Sequence, residues 1–268
     1  MDFQKLKKFP VKIYEDWIED LRDLKRPFVL TELFLRNANE NKEDMVLHIW
    51  PMTKCVILGM LDRELPEIEK AKDYLRSQGY EVVVRNQGGL AVVADEGVLN
   101  FSFIVANALE ENISMPHAYL MMVDLVREMF SDFFGRIDYF EMEESYCPGA
   151  YDLSIAGKKF AGIAQRRIKD GIAVSIYISV NGNQQTRSNL LKEFYKIGKN
   201  GQETIIKYPN IDPDCMESLD ILLGEELTME KMIEIIYNKL ELLGFKVDKM
   251  SFDGSLQEKY DILYKKYK

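Results

Sequence analysis

Two short apolar-rich runs, residues 152–155 and 160–164, flank the tripeptide Ala156-Gly157-Lys158, and this spacing predicts two strands folded back on each other. Such a hairpin carries Lys159 toward the loop that holds Cys147, within the run Ser145-Tyr146-Cys147-Pro148-Gly149. An ammonium close to a thiol favours the thiolate, the form that attacks a thioester or amide carbonyl. Thiol and amine together point to acyl transfer. The same thiol has an inert reading, because unpaired cysteine is among the most buried residue types and packs as a small hydrophobe. Glu141, Glu143 and Glu144 weigh against activation if they lie close, since carboxylates oppose ionisation of a neighbouring thiol; otherwise they form a solvated strand edge.

Around this hairpin the hydrophobic spacing predicts a helix over 27–38, a polar loop over 37–44, and strands at 45–50 and 55–58. A helix over 68–78 ends at Gly79, and a strand follows at 80–84. Arg85-Asn86-Gln87-Gly88-Gly89 reads as a turn into a returning strand at 90–93, with another strand at 98–105. Ser114, Met115 and Pro116 mark the start of a helix running to 134, and 172–180 alternates as a strand. From Leu190 onward the pattern turns largely helical, most clearly at 225–243 and 256–267. Strands early, a mixed middle and helices late predict an α+β fold with a mixed β-sheet, not a doubly wound parallel sheet. The expectation is a single domain over 1–268 with a helical C-terminal part at 225–268.

Charge and cysteine usage exclude several classes. With 35 basic and 44 acidic residues the formal charge is −9, and no basic stripe stands out, so a nucleic-acid binder is disfavoured. The first eight residues lack the apolar core of a signal peptide, and no run approaches the ~20 apolar residues that span a bilayer, so a cytoplasmic protein with no membrane partner is expected. Cys55, Cys147 and Cys215 lie far apart with no Cys-x-x-Cys pair, which supports neither a disulfide framework nor a zinc site. Cys55 and Cys215 are read as packing residues, and His48 and His117 as a strand and a helix-start residue without a chemical role.

The strand-Arg-x-x-Gly-Gly-strand unit suits a ligand, because two glycines let backbone amides approach a bound group, and it equally suits a tight hairpin requiring positive φ. It is neither a Walker loop nor a dinucleotide fingerprint. The order of motifs is more telling. Arg85-Asn86-Gln87-Gly88-Gly89-Leu90-Ala91-Val92, then Asp95-Glu96-Gly97-Val98-Leu99-Asn100, then Tyr151-Asp152-Leu153 with Gly157-Lys158-Lys159-Phe160-Ala161-Gly162-Ile163-Ala164-Gln165-Arg166 resembles the lipoate-protein ligase and octanoyltransferase superfamily over about residues 25–245.

The resemblance implies the catalytic-domain fold of biotin and lipoate-protein ligases, with the glycine loop covering a lipoyl or octanoyl chain and a lysine contacting the acyl carbonyl. Those roles fall on Arg85, Gly88 and Gly89 and on Lys159, with Leu90, Ala91, Asp152 and Gly162 as further substrate-binding positions. Two departures stand out: Leu90 occupies the place of a third loop glycine, and Ala94 that of the histidine before Asp95. Together with Ser-Tyr-Cys-Pro-Gly-x-Tyr-Asp-Leu-Ser-Ile they are similar to the amidotransferase branch of the superfamily, in which the cysteine at the position of Cys147 takes up the acyl chain.

The implied reaction moves an octanoyl or lipoyl group from a lysine of glycine cleavage H protein to the lysine of lipoyl domains of 2-oxo acid dehydrogenases, through a thioester on Cys147 and with no cofactor or metal. Three alternatives stand beside it: an octanoyl-acyl carrier protein transferase, an ATP-dependent lipoate ligase, and a non-catalytic lipoyl-binding module. Strand residues 90–93 and 101–104 are expected to line the acyl tunnel, where each buried methylene contributes about 0.8 kcal/mol. Arg166, Arg167 and Lys169 are either a solvated turn or a dock for acidic lipoyl domains.

Overall fold

The structure is a computed structural model that describes residues 6–18, 23–43, 45–106, 113–133 and 136–267. Its central strands, β6 (Val98–Ala106) and β10 (Gly171–Ser179), are buried along their whole length. A strand with no exposed side needs a layer on each face. Leu99, Phe101 and Phe103 face helices α3 (Met115–Met129) and α6 (Met229–Leu242) in one apolar cluster. The alternate residue Ile104 packs with α1 (Arg26–Glu40) and α7 (Gly254–Lys266) in another.

The large sheet has eight strands in the order β11-β1-β2-β6-β10-β9-β8-β7. Here β1 is Val11–Glu15, β2 Met45–Ile49, β7 Asp138–Tyr139, β8 Leu153–Ile155, β9 Lys158–Ile168 and β11 Val247–Lys249. β11, β1 and β2 run parallel and the remaining pairs are antiparallel, so the sheet is mixed and the fold α+β, as the order of elements led us to expect. The predicted hairpin is present as β8 and β9, turned by Ala156 at φ 50° and Gly157 at φ 76°. Two successive positive φ values match the right-handed twist of the flanking strands.

A smaller sheet has the order β4-β3-β5, with β3 Cys55–Leu58, β4 Glu81–Val84 and β5 Val92–Ala94. This corrects the reading of 85–89 as a hairpin turn. β4 and β5 both flank β3, β4 parallel after the crossover helix α2 (Ile68–Ser77) and β5 antiparallel, so the segment between them crosses the end of β3. Gly89, at φ 93°, supplies the left-handed conformation there, and Gly88 does not.

Other differences have local causes. α3 stops at Met129, short of the expected 134, and Phe134 lies outside the described residues, as do Asp44 of the expected loop and Met1 to Lys5 of the amino terminus. Helix α4 (Gln184–Lys199) begins before Leu190 because Asn183 caps it, accepting from the Thr186 amide at 2.8 Å. Between α4 and the short helix α5 (Leu219–Leu223) the described chain is irregular apart from a 3₁₀ turn, Pro213–Cys215, and a bridge from Met216 to Lys159 of β9. Strands β1 and β11 were not anticipated. Among the described residues no helix is long and apolar enough to cross a membrane.

Candidate active site

The turn that carries Cys147 is organised by two buried charges. Alternation along β9 turns Lys158 outward to the Asp214 carbonyl (2.9 Å) and Lys159 inward, where it is fully buried. Lys159 Nζ lies 2.9 Å from Asp152 Oδ2. It donates to Ser145 Oγ (2.9 Å) and to the carbonyls of Tyr146 (3.1 Å) and Cys147 (3.0 Å). Asp152 in turn accepts from the amides of Gly149 (3.0 Å) and Met142 (3.4 Å). Burial pushes the Asp152 carboxyl above its ordinary range, with Lys159 and the two amides opposing. This clamp holds Cys147 at φ 49°, a conformation uncommon for a residue with a Cβ and sustained where surrounding contacts over-determine it.

Facing the thiol is the crossing segment 85–91. The buried Arg85 donates to the carbonyls of Ile57 (3.3 Å), Gly88 (3.1 Å) and Leu90 (2.7 Å), and lies 3.7 Å from Cys147 Sγ. The Leu90 amide donates to the same sulfur at 3.2 Å. A Cβ at Gly89 would fall 2.8 Å from Arg85 Nη2 and 2.9 Å from Cys147 Sγ, so glycine is what lets loop and thiol meet. From behind, the Ala91 amide donates to the Tyr195 hydroxyl (3.0 Å), which donates to Asp62 (2.9 Å), and Asp62 also accepts from the Gly59 amide (2.7 Å). Burial pushes the Asp62 carboxyl up to about 6. A Cβ at Gly59 would meet the Gly89 carbonyl at 1.9 Å, so Gly89 rests directly on Gly59. Gly59, Asp62 and Tyr195 carried no motif; the only sequence signal was an acidic residue three places after a glycine.

Loop and turn enclose a cavity of about 200 Å³. Cys147, Arg85, Gly88, Gly89 and Gly162 line it, with Trp50, Ile57 and Val92 among its apolar walls. Lys159, Leu90, Ala91 and Asp152 stand behind the wall and hold it in place. Residues 101–104 of the expected tunnel wall do not line the cavity, because Phe101 and Phe103 point to the opposite face of the sheet and Ile104 packs with α1 and α7; of 90–93 only Val92 lines it, and from β6 it is Asn100 that reaches it. The other two thiols lie elsewhere: burial, then Glu81, pushes Cys55 up, and burial, then Asp212, pushes Cys215 up to about 11.

His48 is buried in the core beside Thr31 (3.2 Å), and burial lowers its pKa against the pull of Asp16. His117 lies in the first turn of α3, where its amide is capped by Ser114. Arg166 and Arg167 sit on β9, not on a turn, with Arg166 paired to Glu32 at 2.7 Å and Arg167 donating to Gln165 at 3.0 Å; Lys169 occupies the turn that follows.

Comparison with known proteins gives this geometry a context. The chain is 41% identical over 224 residues to the octanoyl-[GcvH]:protein N-octanoyltransferase of Geobacillus kaustophilus, covering 84% of this chain and 79% of that protein. It is 41% identical over 218 residues to the lipoyl-[GcvH]:protein N-lipoyltransferase of Listeria monocytogenes, covering 81% and 78%. A putative lipoate protein ligase from Thermoplasma acidophilum with bound lipoic acid has the same fold, with a TM-score of 0.69 at 14% identity over 96% of this chain and 95% of that one. Residues 23–241 match the lipoyl protein ligase A/B catalytic domain, and the chain belongs to that family.

Proposed function

We propose that this protein is an acyltransferase that takes an octanoyl or lipoyl group from the acylated lysine of glycine cleavage H protein and delivers it to a lysine of the lipoyl domains of 2-oxo acid dehydrogenase complexes, through a thioester on Cys147. The observation that carries this reading is the thiol itself: Cys147 Sγ stands at the wall of the apolar cavity, faced by the Leu90 amide and Arg85 and fixed at φ 49° by the buried Lys159. In the first half-reaction the sulfur bonds to the acyl carbon and the carbon–nitrogen bond of the donor amide breaks. The proton lost by the thiol ends on the departing lysine amine. In the second half-reaction the acceptor amine attacks the thioester, the carbon–sulfur bond breaks, and the thiol is restored. The Leu90 amide and the Arg85 guanidinium favour negative charge on the sulfur when it is nucleophile and again when it is leaving group. Lys159 positions this turn; its three protons are shared among four oxygen partners.

The test offers the pure protein three donors: octanoyl-H protein, octanoyl-carrier protein, or octanoate with ATP and Mg²⁺, followed by an unacylated lipoyl domain. The expected result is mass added to Cys147 from octanoyl-H protein and then transferred to the acceptor. Acylation from octanoyl-carrier protein alone, or transfer that requires ATP, contradicts the proposed donor.

A further inference from the structure

The sequence pointed to Lys159 as the donor to the acyl carbonyl, yet its protons are committed to Asp152, Ser145 and the two carbonyls of the turn. The negative oxygen that forms when a thiolate adds to an amide carbonyl still requires hydrogen-bond donors, and these are worth the most when fixed in place and shielded from water. The polar side chains of the cavity wall differ in whether they have hydrogen to spare. Gln87 donates to Ser175 (3.0 Å), Ser175 is 2.7 Å from Ser102, and Trp50 donates to Ser102 (3.1 Å). Asn100 and Tyr177 do not join this network. The Asn100 amide nitrogen and the Tyr177 hydroxyl are both buried; the Asn100 nitrogen has no partner, and the Tyr177 hydroxyl interacts with the neighbouring Tyr146 phenol without reaching full hydrogen-bonding geometry.

These two groups are neighbours. Asn100 on β6 and Tyr177 on β10 are register partners, so their side chains leave the sheet side by side on one face, and both residues line the cavity that holds Cys147. Gly162, the register partner of Tyr177 on β9, makes room for the ring: a Cβ there would lie 2.6 Å from Cε1 of the tyrosine. Lys159 Nζ, which holds the Cys147 carbonyl, stands 5.9 Å from the centroid of the same ring. The phenol of Tyr146, stacked alongside, accepts from Gln184 (3.2 Å). Burial raises the pKa of the Tyr177 hydroxyl well above its ordinary value, so it keeps its proton at neutral pH. A buried donor without a partner costs free energy in the folded protein, and a pair of them beside one nucleophile is explained if a ligand oxygen completes both.

We propose that Asn100 and Tyr177 are catalytic residues, the donor pair that receives the acyl carbonyl oxygen as it becomes an oxyanion. The inference rests on the Cys147 thioester reading. As the sulfur–carbon bond forms, the carbonyl π pair moves onto oxygen, where the Asn100 amide and the Tyr177 hydroxyl donate to it; when the pair returns, the carbon–nitrogen bond breaks.

The test compares two reactions of the same thiol in wild type, Tyr177→Phe and Asn100→Leu. Acylation by octanoyl-H protein or a small octanoyl thioester passes through an oxyanion, whereas alkylation by iodoacetamide does not. Each variant is expected to lose roughly a hundredfold in the single-turnover acylation rate while its alkylation rate stays unchanged. Asn100→Leu is expected to melt no lower than wild type, because it removes an unsatisfied buried group. Acylation at the wild-type rate in both variants, or alkylation falling in step with acylation, overturns the proposal. Transfer that persists in Cys147→Ser instead removes the thioester reading on which it rests, and the two failures are thereby distinguished.

Discussion

Two segments close over the cavity, and each is gathered by one buried cation, but the two cations are balanced differently. Lys159 holds the 145–152 turn with its charge met by the buried carboxylate of Asp152. Arg85 holds the 85–91 segment through neutral acceptors, the carbonyls of Ile57, Gly88 and Leu90 and the sulfur of Cys147. A buried ion pair punishes removal of one partner heavily, because the other is left charged and unpaired. A cation on carbonyls leaves only neutral acceptors behind. The comparison teaches that the thiol-bearing turn is the rigid jaw of the site and the glycine segment the yielding one.

Breaking the rigid jaw is expected to have the largest effect. Lys159→Met strands Asp152 and should cost about 3–5 kcal/mol in denaturant unfolding, with transfer lost as the Cys147 carbonyl is released. Lys159→Met with Asp152→Asn should regain part of that stability and none of the activity. If the single variant unfolds like wild type, the clamp is not what holds the turn. Arg85→Met should cost less, about 1–3 kcal/mol, and should raise the KM for acyl donor more than the lysine change does in any folded fraction.

The two loop glycines sharpen the comparison further. Gly89→Ala meets Arg85 and Cys147 at under 3 Å and forces a left-handed φ onto a residue with a Cβ, so a loss of about 1–2 kcal/mol and slower alkylation of Cys147 are expected. Gly88→Ala, whose Cβ meets nothing within 4 Å, should melt with wild type. Equal melting of the two variants contradicts the assignment of the strained position.

The smallest effect concerns Asp62 behind the loop. Its native pKa of about 6 exceeds the unfolded value of ~3.9, so between those limits the native state holds a proton that the unfolded chain has released. Its contribution to stability is therefore complete below the lower limit and is lost as pH rises through about 6. Wild type should gain on Asp62→Asn as pH is lowered from 7 to 5 in parallel thermal melts. A constant difference contradicts the native value.

How much of this was legible in the sequence follows from the range of each interaction. The 153–168 hairpin was readable because its turn residues and its alternation are local, and the same alternation separates Lys158 from Lys159. Chemistry alone offered Cys147 near a lysine pair as a nucleophile candidate beside an inert packing reading, and the motif resemblance was what singled it out. The role of the amine was not readable, because it depends on the left-handed conformation of Cys147, which turns backbone carbonyls and not the sulfur toward Nζ. Residues 85–89 read as a hairpin turn because turn chemistry cannot reveal that β3 lies between the two flanking strands. Gly59 and Asp62 share one short turn, but Tyr195 comes from a distant helix and joins them only in the fold. Asn100 closed one of the quoted motifs and Tyr177 lay inside an apolar strand, but that each is a buried donor without a partner of hydrogen-bonding geometry is visible only once every neighbour is placed.

The central claim, that Cys147 carries the acyl group, is tested most directly by mixing the protein with octanoyl-H protein in the absence of acceptor, quenching in acid within a single turnover, and mapping the peptides by mass. The octanoyl group should appear on Cys147 as an adduct that hydroxylamine removes, and it should disappear when an unacylated lipoyl domain is added before the quench. An acceptor that becomes octanoylated at full rate while Cys147 stays unmodified throughout, or in a Cys147→Ser protein, contradicts the account.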